Sequence, residues 1–283
     1  MNAIENQLNA PVVDQFENVD MQRRFGGIAR LYGAAALARF QGAHVCVIGV
    51  GGVGSWIVEA LARSAIGRLT LIDLDNVSES NINRQLMALT DTIGQPKVEA
   101  LADRVKQINP YCKVHLVEDF IGPENTARML DGGFDYVIDA IDSVKAKAAV
   151  IAWCRDHAMP MVTIGSAGGQ TDPTKIALRD LARTEQEPLL KMVRKKLRNQ
   201  YGFPRGEKHK FHIDAVFSME PVSMPEGEAS CDIDGSLNCA GFGSSMVVTA
   251  TFGMVAAGHA LRQLAATAGN NQVPVQVEEA ALS

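Results

Sequence analysis

The stretch that decides the fold spans residues 44–75, HVCVIGVGGVGSWIVEALARSAIGRLTLIDLD. Residues 44–48 are a short, β-branched-rich run without alternation, the mark of a strand buried on both faces of a parallel sheet. A glycine turn follows at 49–54. Residues 55–67 have the spacing of an amphipathic helix, expected to close at Gly67. RLTLIDLD at 68–75 predicts a second strand. Strand, glycine turn, helix and strand in so few residues form the opening unit of a doubly wound α/β fold.

The same alternation extends outward. Residues 21–39 have helical spacing behind a loose arm at 1–20. Residues 97–109 predict a helix stopped by Pro110 and 113–119 a third strand. FDYVIDAID at 134–142 predicts a fourth strand with an acidic end, 143–157 a helix, and MPMVTIG at 159–165 a fifth strand. Together these predict a Rossmann-like, mostly parallel sheet with helices on both faces. After Gly165 the pattern becomes irregular: a loop into a strand, a basic helix at 187–200, a strand at 210–218, a long loop at 219–243 and an apolar helix. The expectation is one domain with a nucleotide-binding half (21–165), an irregular half for substrate and self-association with additional antiparallel strands (166–267), and a tail (268–283).

Composition excludes several classes. With 47% apolar and 21% charged residues, the 283-residue chain is ordinary globular protein, not a disordered one. A net charge of −5 argues against a protein that coats nucleic acid everywhere, but leaves room for a local basic patch. The cysteines, Cys46, Cys112, Cys154, Cys231 and Cys239, are odd in number and never spaced C-x-x-C, which argues against a disulfide framework or a four-cysteine zinc site. A polar start without an apolar core predicts a cytoplasmic protein. Residues 240–261 contain no Lys, Arg, Asp or Glu and are long enough to span a bilayer. Their Gly, Ser, Thr and His content, without a flanking basic cluster, points instead to a buried helix and no membrane insertion.

The glycine turn fits G-x-G-x-x-G, where Gly49, Gly51, Gly52 and Gly54 let the backbone approach a phosphate at a helix N-terminus. Asp73, nineteen residues past Gly54, stands where a carboxylate can accept hydrogen bonds from ribose hydroxyls. This much fits NAD or FAD equally well. The motifs downstream of Asp73 do not. SESNINRQ at 78–85 and GQPK at 94–97 place Arg84 and Lys97 among polar groups, and Asp139 and Asp142 end the fourth strand. Arg and Lys clamp phosphates, and a carboxylate beside them suits Mg²⁺. A hydride-transfer enzyme has no use for a triphosphate clamp; an enzyme that activates a carboxylate with ATP does.

With GVGGVGS, LIDLDNVSESNINRQ, GQPK and DAIDS in this order, the chain resembles the E1-like superfamily of ThiF, MoeB and HesA adenylating enzymes. The resemblance covers about a third of the chain (49–143). It implies that Gly49, Gly51, Gly52 and Gly54 line the nucleotide turn, that Asp73 holds the ribose and that Asp75 also binds the nucleotide. It further implies that Asn81, Arg84 and Lys97 meet the phosphates and that Asn83 and Gln85 also bind the nucleotide, with Arg84, Lys97 and Asp142 catalytic. Asp142 would hold Mg²⁺, and Asp142 and Ser143 would both lie at the nucleotide. It also implies a homodimer and leaves open a monovalent cation (Na⁺ or K⁺), but no zinc.

Three departures narrow the match. The paired C-x-x-C zinc motifs of sulfur-carrier activators are missing. Their Arg-Tyr-x-Arg-Gln opening reads Arg24-Phe25-Gly26-Gly27-Ile28, so Gly27 replaces the second Arg, and Arg24 or Arg30 would have to substitute. Residues 191–210 carry eight Lys or Arg against one Glu. With RFGGIARLYG and GSAGGQTDPTKI, these features resemble the tRNA threonylcarbamoyladenosine dehydratase branch. That resemblance implies ATP-dependent dehydration of t6A in tRNA to its cyclic form, with Lys191, Arg194, Lys195, Lys196 and Arg198 on the tRNA. Tyr201, Phe203 and Phe211 add bases-on-aromatics as an expectation. Cys231 reads as a spectator thiol or as a carrier in a sulfur relay with a cysteine desulfurase. Asp139 reads equally as metal helper or strand-end cap. Trp56 reads as core. The rival functions are activation of a ubiquitin-like or sulfur-carrier protein, an NAD(P) oxidoreductase, and a non-catalytic nucleotide-binding module.

Overall fold

A computed structural model describes residues 19–206, 208–223 and 242–268. Seven strands, β1 (His44–Ile48), β2 (Arg68–Ile72), β3 (Lys113–Val117), β4 (Tyr136–Asp139), β5 (Met161–Ile164), β6 (Ile176–Asp180) and β7 (Asp214–Ser218), form one sheet ordered β3-β2-β1-β4-β5-β7-β6. Every neighbouring pair is parallel except β6–β7. The Rossmann-like class read from the sequence holds, and the second half extends the same sheet with a single antiparallel pair.

The side chains of β1 alternate between two cores, as a period of two dictates. Val45 and Val47 face a core built with α2 (Ala34–Gly42), α3 (Gly54–Arg63), α4 (Lys97–Ile108) and α8 (Met246–Ala266). Cys46 and Ile48 face the other, built with α5 (Thr126–Leu130), α6 (Val144–Asp156) and α7 (Pro188–Gln200). All five residues of β1 are buried, which is why no polar alternation marks them in the sequence.

The apolar stretch becomes α8, sandwiched between α2, α3 and the sheet, with Phe252, Ala256 and Ala260 fully buried. Gly253 makes the crossing tight, since a Cβ there would stand 2.9 Å from both the Trp56 Cβ and the Val53 carbonyl oxygen. Among the described residues, no helix is long and apolar enough to cross a membrane.

Local backbone chemistry revises two helix boundaries. The run at 21–39 is two helices, α1 (Met21–Tyr32) and α2, because Gly33 adopts φ +93° between them. The helix after the glycine turn ends at Arg63, and Ala65, not Gly67, takes the left-handed conformation. Gly67 serves a close approach instead: a Cβ there would lie 1.8 Å from the Gln41 carbonyl oxygen.

Candidate active site

Successive strands from β1 lead away in opposite directions, to β2 on one side and β4 on the other, and ligands of such sheets bind where this switch opens a crevice at the strands' carboxyl ends. A cleft of about 410 Å³ lies there. It gathers Gly49, Gly51, Gly52, Asp73, Asp75, Asn81, Arg84, Gln85, Lys97, Asp142 and Ser143 on its walls. Residues from four separate sequence motifs therefore converge on one space.

The turn is shaped for close backbone approach. Gly49 has φ +79°, and a Cβ on Gly54 would come within 1.9 Å of the Gly49 carbonyl oxygen. Gly54 thus serves the packing of helix on strand and does not itself line the cleft. No side chain caps α3, and although its Ser55 and Trp56 N–H groups donate to the Gly51 and Val53 carbonyls at 3.1 and 3.2 Å, the helix dipole favours an anion at this end.

Asp73 fixes the turn from the side. Its Oδ2 accepts the Val50 N–H at 2.8 Å and its Oδ1 accepts the Asp75 N–H at 2.9 Å. Burial holds its carboxyl above the ordinary range, although Lys97 and these two N–H groups pull it down. Lys97 opens α4, buried to 5% exposure, with its Nζ 2.7 Å from the Asp75 carboxylate.

The segment after β2 is braced by short bonds. Asn81 Oδ1 accepts the Ser78 N–H, and Arg84 Nη1 donates to the Ser80 carbonyl at 2.7 Å and to Asn83 Oδ1 at 2.9 Å. The Arg84 carbonyl in turn accepts from Trp56 Nε1 at 3.0 Å and from the Thr249 hydroxyl of α8 at 3.4 Å. Trp56 is therefore a brace beneath the site. Gln85 is buried, and its Oε1 has no hydrogen-bond partner, an unmet acceptor on the cleft wall. Asn83 is placed differently: it does not line the cleft, and its Nδ2 donates to the Ser244 carbonyl at 2.8 Å, tying this segment to the approach of α8.

The two acidic residues after β4 separate cleanly. Asp139 is fully buried, paired to Lys147 Nζ at 2.9 Å and accepting from the Thr163 hydroxyl at 2.7 Å and the Ile141 N–H. It ties the end of β4 to β5 and to α6 and does not face the cleft. Asp142 is exposed on the cleft wall, and Ser143 caps α6 by accepting the Ala146 N–H.

Other candidates fall elsewhere. Arg24 donates to the Gln107 and Ile108 carbonyls at 3.0 and 2.7 Å, capping the C-terminus of α4 on the wall of a separate hollow. Within that hollow Arg63 and Arg104 are both bound to Glu59. On α7, Lys191 and Lys195 are exposed; Arg194 donates to the Thr184 hydroxyl; Arg198 lies over the Phe211 ring, 5.1 Å from its centroid. Lys196 is half-buried. The expectation that Phe203 and Phe211 offer stacking faces is overturned: both are 3% exposed and pack edge to face in the core. Burial pushes the Cys112 and Cys154 thiols up to about 12, and the Cys46 thiol up as well, so these three stay protonated. Cys231 lies outside the described residues. Among the described residues no three His, Cys, Asp or Glu side chains gather to hold a metal.

Sequence reasoning missed one wall. Gly165, Ser166 and Ala167 after β5, Leu189 of α7 and Thr249 of α8 all line the cleft. The glycine-rich GSAGG run at a strand's carboxyl end was the available signal.

The ThiF family profile matches residues 25–280. The chain is 54% identical to the tRNA threonylcarbamoyladenosine dehydratase of Haemophilus influenzae over 244 residues, covering 86% of this chain and 94% of that one. It is 49% identical to the Escherichia coli K12 enzyme of the same name over 255 residues, covering 87% and 95%. Among solved structures, that of E. coli tRNA N6-threonylcarbamoyladenosine dehydratase in complex with ATP superposes with a TM-score of 0.81 over 88% of this chain and 97% of that chain, at 49% identity. A structure of the E. coli enzyme with AMP matches equally well.

Proposed function

Because the chain belongs to the ThiF family, we propose that its cleft uses ATP to dehydrate N6-threonylcarbamoyladenosine in tRNA to the cyclic form. The observation that carries this reading is the convergence of the glycine turn, Asp73, Arg84, Lys97 and Asp142 on one cleft, in a chain about half identical, over nearly its whole length, to dehydratases of which one is known with ATP and with AMP.

The chemistry follows from a carboxylate being a poor electrophile. The threonine carboxylate attacks the α-phosphorus of ATP; the new P–O bond forms as the bond to pyrophosphate breaks. A nucleophile of the same modified base then attacks the acyl carbon and expels AMP, which carries away the former carboxylate oxygen. The nucleophile's proton is released, and the nucleoside is one water lighter. Because both partners of ring closure sit in one molecule, the protein has to hold geometry more than supply a reactant.

Each residue has a task consistent with its place. Asp73 holds the ribose while bracing the turn. The uncapped start of α3 receives phosphate charge. Arg84, Lys97, Asn81 and Gln85 hold the β- and γ-phosphates, with the orphan Gln85 Oε1 gaining a partner from ligand or its water. Asp142 fits a magnesium site, since its carboxylate lies open on the wall and Mg²⁺ binds through one or two carboxylates plus phosphate oxygens and water. Bound there, the ion would neutralise phosphate charge. Lys191, Lys195 and Lys196 offer cations to the tRNA backbone. A homodimer fits the exposed apolar side chains of Ile82, Leu89, Met246 and Val247.

The test is ATP–pyrophosphate exchange with t6A-bearing tRNA, set against a Gly-Gly-ended carrier protein, with nucleoside mass analysis of the tRNA. Exchange and a loss of one water with tRNA are expected. Exchange with the carrier alone would establish the sulfur-carrier reading instead.

A further inference from the structure

Glu187 stands at the head of α7, only 3% exposed. One carboxylate oxygen accepts the Ser166 N–H at 2.7 Å; the other accepts the Leu190 N–H in a short bond. A single side chain thus closes the first turn of the basic helix and holds the loop that follows β5. Both ends of this clip reach the nucleotide cleft, whose wall includes Gly165, Ser166 and Ala167 from the loop and Leu189 from the helix.

The surroundings are built around that carboxylate. A Cβ on Gly165 would come within 2.9 Å of the Glu187 Cγ and Cδ, so the loop passes directly over it. Beneath lies Lys147, fully buried, paired to Asp139 and also attracting Glu187. Burial holds the Glu187 carboxyl above the ordinary range, outweighing the Leu190 and Ser166 N–H bonds and Lys147. A buried charge is costly, and Ser, Asp or Asn is the preferred helix cap. Capping alone does not call for Glu. Reaching Ser166 and Leu190 together calls for its length.

The order of the sheet says what this wall faces. Asp73 follows β2, the glycine turn follows β1, Asp142 follows β4 and Ser166 follows β5. The Ser166 wall is therefore on the far side of the turn from the ribose. We infer that Glu187 is a positioning residue: it clips the basic helix α7 to the 165–167 wall, so that tRNA held on α7 presents its carboxylate at the α-phosphorus. This rests on the function proposed above.

Glu187→Asp separates the roles, because Asp retains the charge and the cap but is one methylene too short to span both N–H groups. The protein is assayed with ATP and t6A-bearing tRNA, varying each substrate, alongside thermal melting. The expected result is a fall in kcat/KM for the tRNA of about 10–100-fold, the scale of a 1 Å misalignment, with the KM for ATP within about twofold of the parent. Wild-type tRNA kinetics in Glu187→Asp would overturn the inference. So would a parallel rise in the KM for ATP, which would mean general loosening. Should Glu187→Asp fail to fold, Glu187→Gln, of the same shape but able to accept only one of the two N–H bonds, is read by the same criteria. Absence of t6A dehydration by the unmodified protein would instead remove the proposed function, and the inference with it.

Discussion

Replacing Gly54 by Ala tests the nucleotide turn most directly. The added Cβ would lie 1.9 Å from the Gly49 carbonyl oxygen and 2.9 Å from its carbon. Ordinary carbon–oxygen contact is about 3.3 Å, so the turn and the start of α3 must part by about 1.4 Å. Both atoms are backbone, and neither can swing away. Overpacking of this kind costs about 1–3 kcal/mol, a fall of roughly 3–4 °C in Tm for a loss near 2 kcal/mol at this chain size. A shift of about 1 Å in a positioning element is worth about 100-fold in rate. Gly51→Ala is the control, because the nearest atom to its Cβ is the Gln85 amide nitrogen at 3.8 Å. Melting curves and ATP titrations of both variants are compared. Gly54→Ala should lose stability and ATP binding together; Gly51→Ala should retain the parent Tm and lose affinity alone, since its methyl intrudes on the cleft. Parent-like melting and ATP affinity in Gly54→Ala would refute the close-approach reasoning.

Three further outcomes are expected. Asp142→Ala should abolish dehydration with an unchanged Tm, because the side chain is exposed on the cleft wall; unchanged turnover would remove it from the site. Burial pushes the Asp135 carboxyl up, but the Arg39 guanidinium and the His44 N–H outweigh this and hold it below the ordinary range. Its stabilisation is therefore present above the ordinary Asp value of about 3.9 and is lost as pH falls through its own lower value. Asp135→Asn should accordingly be less stable than the parent at neutral pH, with the gap closing in acid denaturation. Reversing Lys191 and Lys195 to Glu should raise the KM for tRNA and flatten its salt dependence while leaving ATP binding alone, as expected of exposed cations on a phosphate backbone; an equal effect on ATP would contradict the assignment.

The parts of this molecule that were legible in the sequence are those whose physics is local. The buried run of β1, the glycine spacing and the Pro96–Lys97 helix start each carry their own signal within a few residues. Asp139 and Asp142 do not. They are three positions apart at the end of one strand and chemically identical, and only the packing of Lys147 and Thr163 shows which carboxylate is buried. Phe203 and Phe211 are aromatic residues in a basic run, and the fold turns them inward. The Glu187–Ser166 bond joins a helix start to a strand end with a different strand between them, so no periodicity announces it. Gly33 and Ala65 show the same limit at helix ends, where backbone torsion, not hydrophobic spacing, sets the stop.

The bond from Thr249 to the Arg84 carbonyl also gives the site a place in time. A ribosome delivers the glycine turn, Asp73 and Arg84 early, and α8 long after them. Until that helix emerges and docks, the segment bearing Arg84 lacks its last brace and β4 and β5 lack part of their cover. A nascent chain therefore carries Asp73, Arg84, Lys97 and Asp142 before α8 docks and completes the cleft wall with Thr249.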